Sequence, residues 1–421
     1  MVDFSLTEEQ LAIQKTAREF AEREVKPVTA EIDKIADPKE AWSRVRDIYV
    51  KANKLGFNKI LIPQKYGGLG LTELDACLVI EELSVADAGV GTSYFVHTGQ
   101  SRMLDDACTE EQKQEFFTAC CNDPEELYFM AVSVTEHGAA GDLGPREYGA
   151  GRVAADKLTP LDFITRKPIP EAQQREMTAA AKREGDTWII NGMKRFITFG
   201  RQAKLYCTLA MTNPAEADGV VASGFLVPAG TPGLSFGHVE DKMGHRLSEN
   251  SEVIYEDVRI PEKWRYNWAL SLKGSAYLNT CMSAISVGVA RRAFEEAIAY
   301  AQTRYKGGNL IIFHQAVQRM LVDMAVDVKT ARLLTWLAAW DDETTRSGSS
   351  SIANMAKVYS SDAAVDAANK GMQVFGGYGY MRDFPMEKLV RDTRLLQIYD
   401  ESNEMLRHGQ IIRAITFAGT A

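Results

Sequence analysis

The 421-residue chain has no excess of basic residues, which excludes one broad class of function. It carries 48 Lys and Arg against 57 Asp and Glu, a formal net charge of −9. A nucleic-acid-binding domain needs a basic face to neutralise phosphates. We therefore predict no nucleic-acid partner, and we expect any polyanionic ligand to be bound by local arginines and backbone N–H groups.

Long apolar runs are also missing. No stretch approaches the roughly 20 residues that a membrane-spanning helix needs, so we expect no membrane span. The first ten residues, Met1–Gln10, lack the basic-then-apolar pattern of a signal peptide and the Arg-rich pattern of a transit peptide. From this we expect a cytoplasmic protein.

Cysteine chemistry is sparse. None of the six cysteines belongs to a CxxC motif or to a Cys/His group at metal-ligand spacing. We predict buried or unreactive thiols, no disulfide framework and no metal site.

Helical patterns occupy both ends of the chain and β-prone runs the middle, which predicts a mostly helical α+β protein. We expect an N-terminal helical domain over 1–127, a middle antiparallel β domain over 128–265 and a C-terminal four-helix bundle over 266–421. The first helix is predicted to begin at an N-cap at Thr7, to continue with apolar residues at helical spacing over Leu11–Val25, and to end at Pro27. The polar, proline-containing stretch 143–177 is predicted to be an inserted loop that forms an interface or a pocket lid.

Five segments, in this order and spacing, resemble the acyl-CoA dehydrogenase family. They are Val134–Glu136, Asn191–Thr198, Lys242–Ser248 with Tyr255–Pro261, Gln373–Tyr380, and Glu387–Asp392 running into Ile398–Asp400. The resemblance extends over residues 3 to 415. It implies FAD as cofactor, an acyl-CoA thioester as substrate, electron-transfer flavoprotein as electron acceptor and a homotetramer built as a dimer of dimers.

A flavin needs hydrogen bonds at its pyrimidine edge and an aromatic face to stack on. Val134 and Thr135 at a strand end, with Phe196 and Thr198 on a neighbouring strand, are predicted to supply them. Phe196 stands where the family usually has Trp. The resemblance further assigns cofactor contacts to Val132, Gly141, Gln315, Ser402 and Glu404.

Gln373, Gly376 and Gly377 form a loop whose backbone can approach a phosphate closely, because glycine has no Cβ. In the family this loop, like the residue at the Arg304 position, reaches the FAD of a neighbouring subunit. Lys306-Gly307-Gly308 departs from the family's aromatic-then-glycine pattern.

Substrate contacts are assigned by the resemblance to Thr92 and Tyr399, and to Arg246 and Ser248 in the K-x-G-x-R-x-S loop near the coenzyme A chain. A plain turn before a strand explains the last two residues almost as well.

The predicted catalytic base departs from the family pattern. Asp400 occupies the position of the usual Glu, and Glu401 replaces a small Gly. A carboxylate shielded from water gains basicity, because desolvation raises its pKa from about 3.9. Asp400 can therefore remove a proton beside the thioester, although its reach is shorter. The other family position for a base aligns near Leu278, which has no carboxylate, and Asn279 replaces a frequent Arg.

Alternatives stay open from the sequence. Asp400 could instead cap a helix in Tyr-Asp-Glu-Ser-Asn-Glu, Glu401 could be the base, and Asp87 is a second candidate because some dehydrogenases of cyclic thioesters use an Asp elsewhere in the pocket. Nitroalkane oxidases also use an Asp in a similar turn. The leading hypothesis is an acyl-CoA dehydrogenase whose substrate is bulky near the α-carbon, alicyclic or aryl-substituted. The rivals are a nitroalkane-type flavin oxidase and a catalytically silent flavin-binding protein.

Overall fold

The computed structural model describes residues 5–136, 179–213, 215–219, 222–271, 275–345 and 351–417. Within these ranges no helix is long and apolar enough to cross a membrane. The predicted insertion at 143–177 and the predicted FAD contact Gly141 lie outside the described residues.

The N-terminal part is helical. Its α-helices are α1 (Glu8–Phe20), α2 (Lys26–Ile32), α3 (Pro38–Lys54), α4 (Glu73–Ala86), α5 (Ala88–Ala107) and α6 (Glu110–Cys121). Three of them, α1, α4 and α6, begin with a capping box, in which Thr7, Thr72 and Thr109 accept from the N3 backbone N–H. These caps satisfy N–H groups that have no partner inside the helix, so they fix where each helix starts.

Pro27 does not end the first helix, contrary to the prediction. A π-helical turn, Ala21–Val25, follows α1, and α2 begins directly after it with proline in its first turn. Proline lacks the N–H of an interior helical residue, but a helix start does not need that donor. The wider turn therefore allows the chain to continue as helix through the proline.

The middle part is a sheet, whose strands are β1 (Met130–Ser133), β2 (Ala180–Glu184), β3 (Thr187–Thr198), β4 (Leu205–Met211), β5 (Ala222–Pro228), β6 (Leu234–Val239), β7 (Asn250–Pro261) and β8 (Arg265–Tyr266). In the described chain the order is β6-β7-β3-β2-β4-β5-β8, with β1 beside β4. The prediction of an antiparallel sheet was only partly right, because β1 and β2 each pair with β4 in parallel.

The C-terminal part is helical again, with α7 (Trp268–Ser271), α8 (Ser275–Thr303), α9 (Gln315–Thr345), α10 (Ser351–Phe375), α11 (Met386–Leu395), α12 (Asn403–Met405), a π-helical turn (Leu406–Ile411) and α13 (Ile412–Phe417). Helix α10 packs against α8 and α9, and α8 also packs against α4 and α5 of the N-terminal part. The predicted mostly helical α+β fold, with its sheet between two helical parts, is confirmed. The domain limits themselves stay a prediction.

Lys306-Gly307-Gly308 is a hairpin turn between the short strands β9 (Tyr305–Lys306) and β10 (Asn309–Leu310). Both glycines have positive φ, +65° and +84°. A two-residue hairpin of this type needs positive φ at both central positions, which glycine adopts without strain. The departure from the family pattern therefore has a local structural reason.

Aromatic rings join the N-terminal helices to the sheet. Phe129 and Phe199 stack with ring centroids 4.1 Å apart, and Tyr49 of α3 meets the Phe199 ring edge-on at 5.2 Å. Such rings bury large apolar areas and prefer these geometries. The three parts thus share one hydrophobic core, on which the functional site is built.

Candidate active site

Asp400 lies in the turn between α11 and α12, and its backbone is left-handed, with φ +58°. This conformation is uncommon outside glycine, and Asp tolerates it better than most residues. Asp400 does not cap the following helix, so that alternative was wrong. The cap is Ser402, whose hydroxyl accepts from the Met405 N–H at 3.2 Å.

The Asp400 carboxyl is accessible to solvent, yet surrounding protein atoms displace much of its water. This desolvation raises the pKa of Asp400 from 3.8 to about 6, with the Glu401 charge adding to the rise and Lys357 opposing it. Within the described chain the carboxylate accepts no hydrogen bond. An accessible carboxyl with a raised pKa has the properties of a general base that works near neutral pH.

Of the predicted substrate contacts, Tyr399 lies in this turn and Thr92 of α5 lies next to it. The hydroxyl of Thr92 lies beside that of Tyr399, whose pKa is raised by burial. The Tyr399 ring also meets the rings of Phe95 and His245, each with centroids 6.0 Å apart. Helix α5 and the loop before β7 therefore form one wall around Tyr399.

His245 is a site residue that the sequence did not reveal. Its Nε2–H donates to the Asp392 carbonyl at 2.9 Å, so Nδ1 of the neutral ring accepts from the Thr92 hydroxyl at 2.9 Å. Burial lowers the pKa of His245, which favours this neutral form. The histidine thus fixes the orientation of Thr92 beside Tyr399.

Phe196 is the exposed aromatic residue of β3. It is 54% exposed and has φ +59°, at a point where the pairing of β3 with β7 shifts register between Lys194 and Ile197. Such a bulge turns a side chain out of the regular alternation. The Arg195 guanidinium lies 5.0 Å from the ring centroid.

The other predicted residues of the flavin edge gather around Phe196. The Arg195 N–H donates to the Thr135 carbonyl at 2.8 Å, which places the end of β1 against β3. Asn250 of β7 donates to the Phe196 carbonyl at 2.9 Å and to the Thr198 hydroxyl at 3.1 Å. Val134 is buried directly before Thr135. These residues are called the aromatic edge: Val134, Thr135, Phe196 and Thr198.

A buried ion pair lies beneath the aromatic edge. Lys194 Nζ is 2.7 Å from Glu136 and also donates to the Val134 carbonyl at 3.1 Å. Both side chains are almost fully buried. The pair therefore fixes the end of β1 relative to β3, because a buried charge without its partner is strongly unfavourable.

The loop from Lys242 to Ser248 joins the aromatic edge to the turn that carries Asp400. Lys242 Nζ donates to the Asn250 side chain and, at 2.9 Å, to the His245 carbonyl. Burial lowers the pKa of Lys242 to about 7. Through Asn250 the loop contacts β3, and through His245 it reaches Tyr399.

Arg246 and Ser248 were predicted to contact coenzyme A. In the structure Arg246 is hydrogen-bonded within the protein and Ser248 is buried. Arg246 donates to Asp241 at 2.6 Å, to the Lys242 carbonyl at 2.8 Å and to the Ile35 carbonyl at 2.9 Å. Ser248 is fully buried beside a cavity of about 30 Å³, the size of one water molecule. These contacts favour the turn interpretation that the sequence left open.

Arg304, Gln315, Gln373, Gly376 and Gly377 form a second group away from Asp400. Arg304 lies over the ring of Tyr378, 5.2 Å from its centroid. Gly376 has φ +62°, and a Cβ added at Gly376 or Gly377 would meet nothing within 4 Å. Helix α10 runs 16 residues from Lys357, which contacts the turn that carries Asp400, to Gln373, about 24 Å along the helix. One chain therefore does not bring the two groups together.

Asp87 is a structural residue, and the alternative that made it a base is not supported. Its carboxylate accepts from the N–H groups of Gly89 and Val90 at the start of α5 and pairs with Lys388 at 2.8 Å. These partners keep its pKa below the usual value. A fully buried carboxylate with these partners is neither free nor basic.

Glu401 is held by side chains on other helices. Both of its carboxylate oxygens accept from Gln410, at 2.7 and 2.8 Å, and Gln410 in turn accepts from Asn354, which accepts from Asn279. Burial raises the pKa of Glu401. At the alternative family position for a base, Leu278 packs against Gly99 of α5.

Comparisons with known proteins agree with this geometry. Models of the N-terminal, middle and C-terminal domains of acyl-CoA dehydrogenase match residues 7–123, 171–258 and 268–416. A short-chain specific acyl-CoA dehydrogenase of Clostridium acetobutylicum is 31% identical over 98% of this chain and all of that protein. The chain belongs to the acyl-CoA dehydrogenase family.

Solved structures show the same architecture. Butyryl-CoA dehydrogenase from Megasphaera elsdenii is 26% identical, with a TM-score of 0.82 over 97% of this chain and 98% of that one. A chain from a structural study of the electron transferring flavoprotein of Acidaminococcus fermentans is 31% identical, with a TM-score of 0.83 over 99% of this chain and 100% of that one. This acyl-CoA dehydrogenase is thus an oxidoreductase that acts on CH–CH groups and uses FAD.

The residues of this acyl-CoA dehydrogenase fit FAD on two counts. The bulge in β3 presents the face of Phe196 beside backbone and hydroxyl groups of the aromatic edge. The open space above Gly376 and Gly377 leaves their backbone approachable by a phosphate. Which residues contact the cofactor stays a prediction.

Replacing Phe196 by Ala should weaken FAD binding by about fivefold, because the exposed ring contributes stacking worth ~1 kcal/mol. The measurement is titration of the FAD-free protein, followed by quenching of flavin fluorescence. Phe236→Ala is the matched control, since Phe236 is a half-exposed phenylalanine of the same sheet in β6. Equal FAD affinity for the two variants would contradict the assigned role of Phe196.

Proposed function

We propose that Asp400 is the catalytic base that removes the α-proton of an acyl-CoA thioester. The single observation that carries this is the accessible carboxyl of Asp400, free of hydrogen bonds within the described chain and with its pKa raised to about 6. Bound FAD supplies the acceptor for the hydride that leaves the β-carbon. The proton passes to Asp400, the electron pair of the α C–H bond forms the C=C bond, and the product is an enoyl-CoA or dienoyl-CoA.

In this proposal Tyr399 and Thr92 shape the substrate site and transfer no proton. The wall formed by Tyr399, Phe95 and His245 borders the turn that carries Asp400. Aromatic walls exclude water from the reacting carbon, which keeps the carboxylate poorly solvated and basic. Residues on three separate elements thus hold the thioester against Asp400.

The substrate is proposed to be bulky near the α-carbon, alicyclic or aryl-substituted. Asp400 is one methylene shorter than the Glu usual in the family. The Glu401 side chain is turned toward Gln410 and Asn279. The test is a panel of straight-chain, cyclohexanecarboxyl and aryl-substituted thioesters, with the loss of two hydrogens followed by mass spectrometry. Faster turnover of the straight-chain thioesters would overturn this substrate class.

The pH dependence of flavin reduction should follow the ionisation of Asp400. The base acts only when deprotonated, so the rate should rise with pH through an apparent pKa near 6 and level off above it. Glu401→Gln removes a like charge and should move this pKa to a lower value. Stopped-flow flavin bleaching across pH measures both. A profile that Glu401→Gln leaves unmoved or shifts upward would contradict the assignment.

Electron-transfer flavoprotein is proposed as the electron acceptor. The likeness to a chain from a study of such a flavoprotein supports this proposal. Reoxidation of the reduced flavin by added electron-transfer flavoprotein should be much faster than reoxidation by dissolved oxygen. The opposite order would favour an oxidase.

A homotetramer, a dimer of dimers, is proposed as the assembly. Helix α9 has a stripe of exposed apolar residues on one face, namely Val322, Val326, Leu333, Leu337 and Trp340. Stripes of this size usually mark an interface between chains. A neighbouring copy could also bring its Gln373–Gly377 group to this chain's FAD. Light scattering gives the mass, and a monomer would overturn the proposal. Location in the cytoplasm also stays a proposal.

A further inference from the structure

Lys357 of α10 lies beneath the turn that carries Asp400 and is only 1% exposed. Its Nζ donates to the Glu401 carbonyl at 2.6 Å and to the Asn403 side chain at 2.8 Å. Asn403 in turn donates to Ser361 and to Asp362, both at 2.9 Å. The turn that follows Asp400 is therefore bonded to α10 at successive points.

These bonds matter because the Asp400 carboxylate has no hydrogen bond of its own within the described chain. Its position is set by the backbone, and that backbone is left-handed. A non-glycine residue in this conformation is strained, even where Asp tolerates it better than most, and it persists when its surroundings hold it. The Glu401 carbonyl, which Lys357 holds, belongs to the residue directly after Asp400.

Lys357 also brings positive charge to a group of carboxylates. Asp400 is faced by Tyr399 and Glu401 on the turn and by Lys357 on α10, and Lys357 also faces Asp362 of α10 and Glu404 of α12. Asp362 is paired with Arg407 of the π-helical turn. Burial lowers the pKa of Lys357 to about 8, so the lysine is still mainly charged at neutral pH.

We propose that Lys357 is a positioning residue for Asp400: its two hydrogen bonds fix the left-handed turn, and its charge opposes that of Glu401. This inference rests on the proposed role of Asp400 as base. The proposed mechanism gives Lys357 no contact with the thioester or the flavin.

Lys357→Met in the FAD-loaded full chain should lower the limiting rate of flavin reduction about 100-fold, because a displacement of about 1 Å at a reacting group has that effect. The substrate dissociation constant should stay within about twofold. Loss of the cation should also raise the pKa of Asp400, moving the pH–rate profile to higher pH. Lys357→Gln keeps an N–H donor without the charge, so it should restore part of the rate but leave the profile shifted.

A second readout does not depend on turnover. Infrared difference titration of the Asp400 carboxyl, with Asp400→Asn as the reference, should place its pKa near 6 and at a higher value in Lys357→Gln. Asn403→Ser removes the hydrogen bonds of the Asn403 side chain with Lys357, Ser361 and Asp362 without changing any charge. It should slow the reaction and leave the carboxyl pKa in place, and it gives a second variant if Lys357→Met does not fold.

The control is Lys370→Met, on the same helix but paired with the partly exposed Asp323, Asp327 and Asp366; it should keep the parent rate and profile. A parent-like rate and profile in both Lys357 variants would overturn the inference while leaving Asp400 as base. A chain whose flavin no thioester reduces would overturn the proposed function and this inference together.

Discussion

Asp400→Asn should slow flavin reduction by an acyl-CoA thioester by about 10² to 10⁴-fold, the usual contribution of a general base. Asparagine has nearly the same shape but cannot accept the α-proton. FAD affinity should not change, because the contacts around Phe196 do not involve Asp400. Anaerobic stopped-flow bleaching gives the rate, and the fluorescence titration gives the affinity.

The matched control for this variant is Asp366→Asn, an exposed aspartate of α10 that pairs with Lys370. It should react like the parent chain. If Asp400→Asn also reacted like the parent while Glu401→Gln did not, the base would be Glu401. If Asp400→Asn, Glu401→Gln and Asp366→Asn all reacted at the parent rate, neither carboxylate of this turn would take part in the mechanism.

Loss of the Asp400 charge should also stabilise the fold slightly above pH 6. The pKa of Asp400 is higher in the folded chain than in the unfolded one, so ionisation favours unfolding as the pH rises through about 6. Asp400→Asn should thus unfold at an equal or higher temperature at pH 8 than the parent. This separates a loss of chemistry from a loss of folding.

Lys388→Met should lower the free energy of unfolding by about 3–5 kcal/mol, the usual effect of removing one partner of a buried ion pair. Lys388 Nζ lies 2.8 Å from Asp87 and 2.6 Å from Asp392, and both carboxylates are almost fully buried. Asp87 starts α5 and Asp392 accepts from the His245 N–H at 2.7 Å. The variant leaves two buried charges without their cation. Urea unfolding of the FAD-free chain measures the change.

Lys370→Met is again the control, and it should cost less than about 1 kcal/mol, because its ion pairs are partly exposed. The difference between the two losses of unfolding free energy tests the prediction better than either value alone. Lys388 links Asp87 of the N-terminal part to Asp392, which accepts from His245 of the middle part. Equal losses for the two variants would show that this link does not stabilise the packing of the three parts.

Local patterns in the sequence were enough to predict the fold class. The long helices α8, α9 and α10 and most of the sheet strands follow from apolar periodicity, which depends on neighbouring residues. The strands β2, β6 and β8 were not predicted, since β2 is largely polar, β6 has no buried residue and β8 has only two residues. The parallel pairing with β4 depends on contacts distant in sequence.

Site residues divide in the same way. Asp400, Tyr399 and Phe196 stand in contiguous motifs, so the sequence could predict them. Lys357 and His245 act through partners 44 and 147 residues away, Glu401 and Asp392. No spacing rule connects such pairs. Asp87 became a second candidate for the base because a carboxylate before a glycine-rich helix start looks the same in sequence whether it caps the helix or acts as a base.

The central claim is that substrate carbon lies between the Asp400 carboxylate and the flavin of this acyl-CoA dehydrogenase. Anaerobic mixing of the FAD-loaded protein with acyl-CoA thioesters, and separately with nitroethane, tests it most directly. Rapid bleaching of the yellow flavin band by a thioester, slowed by deuterium at its α-carbon, is the predicted result. Bleaching by nitroethane alone, or by neither compound, would contradict the account.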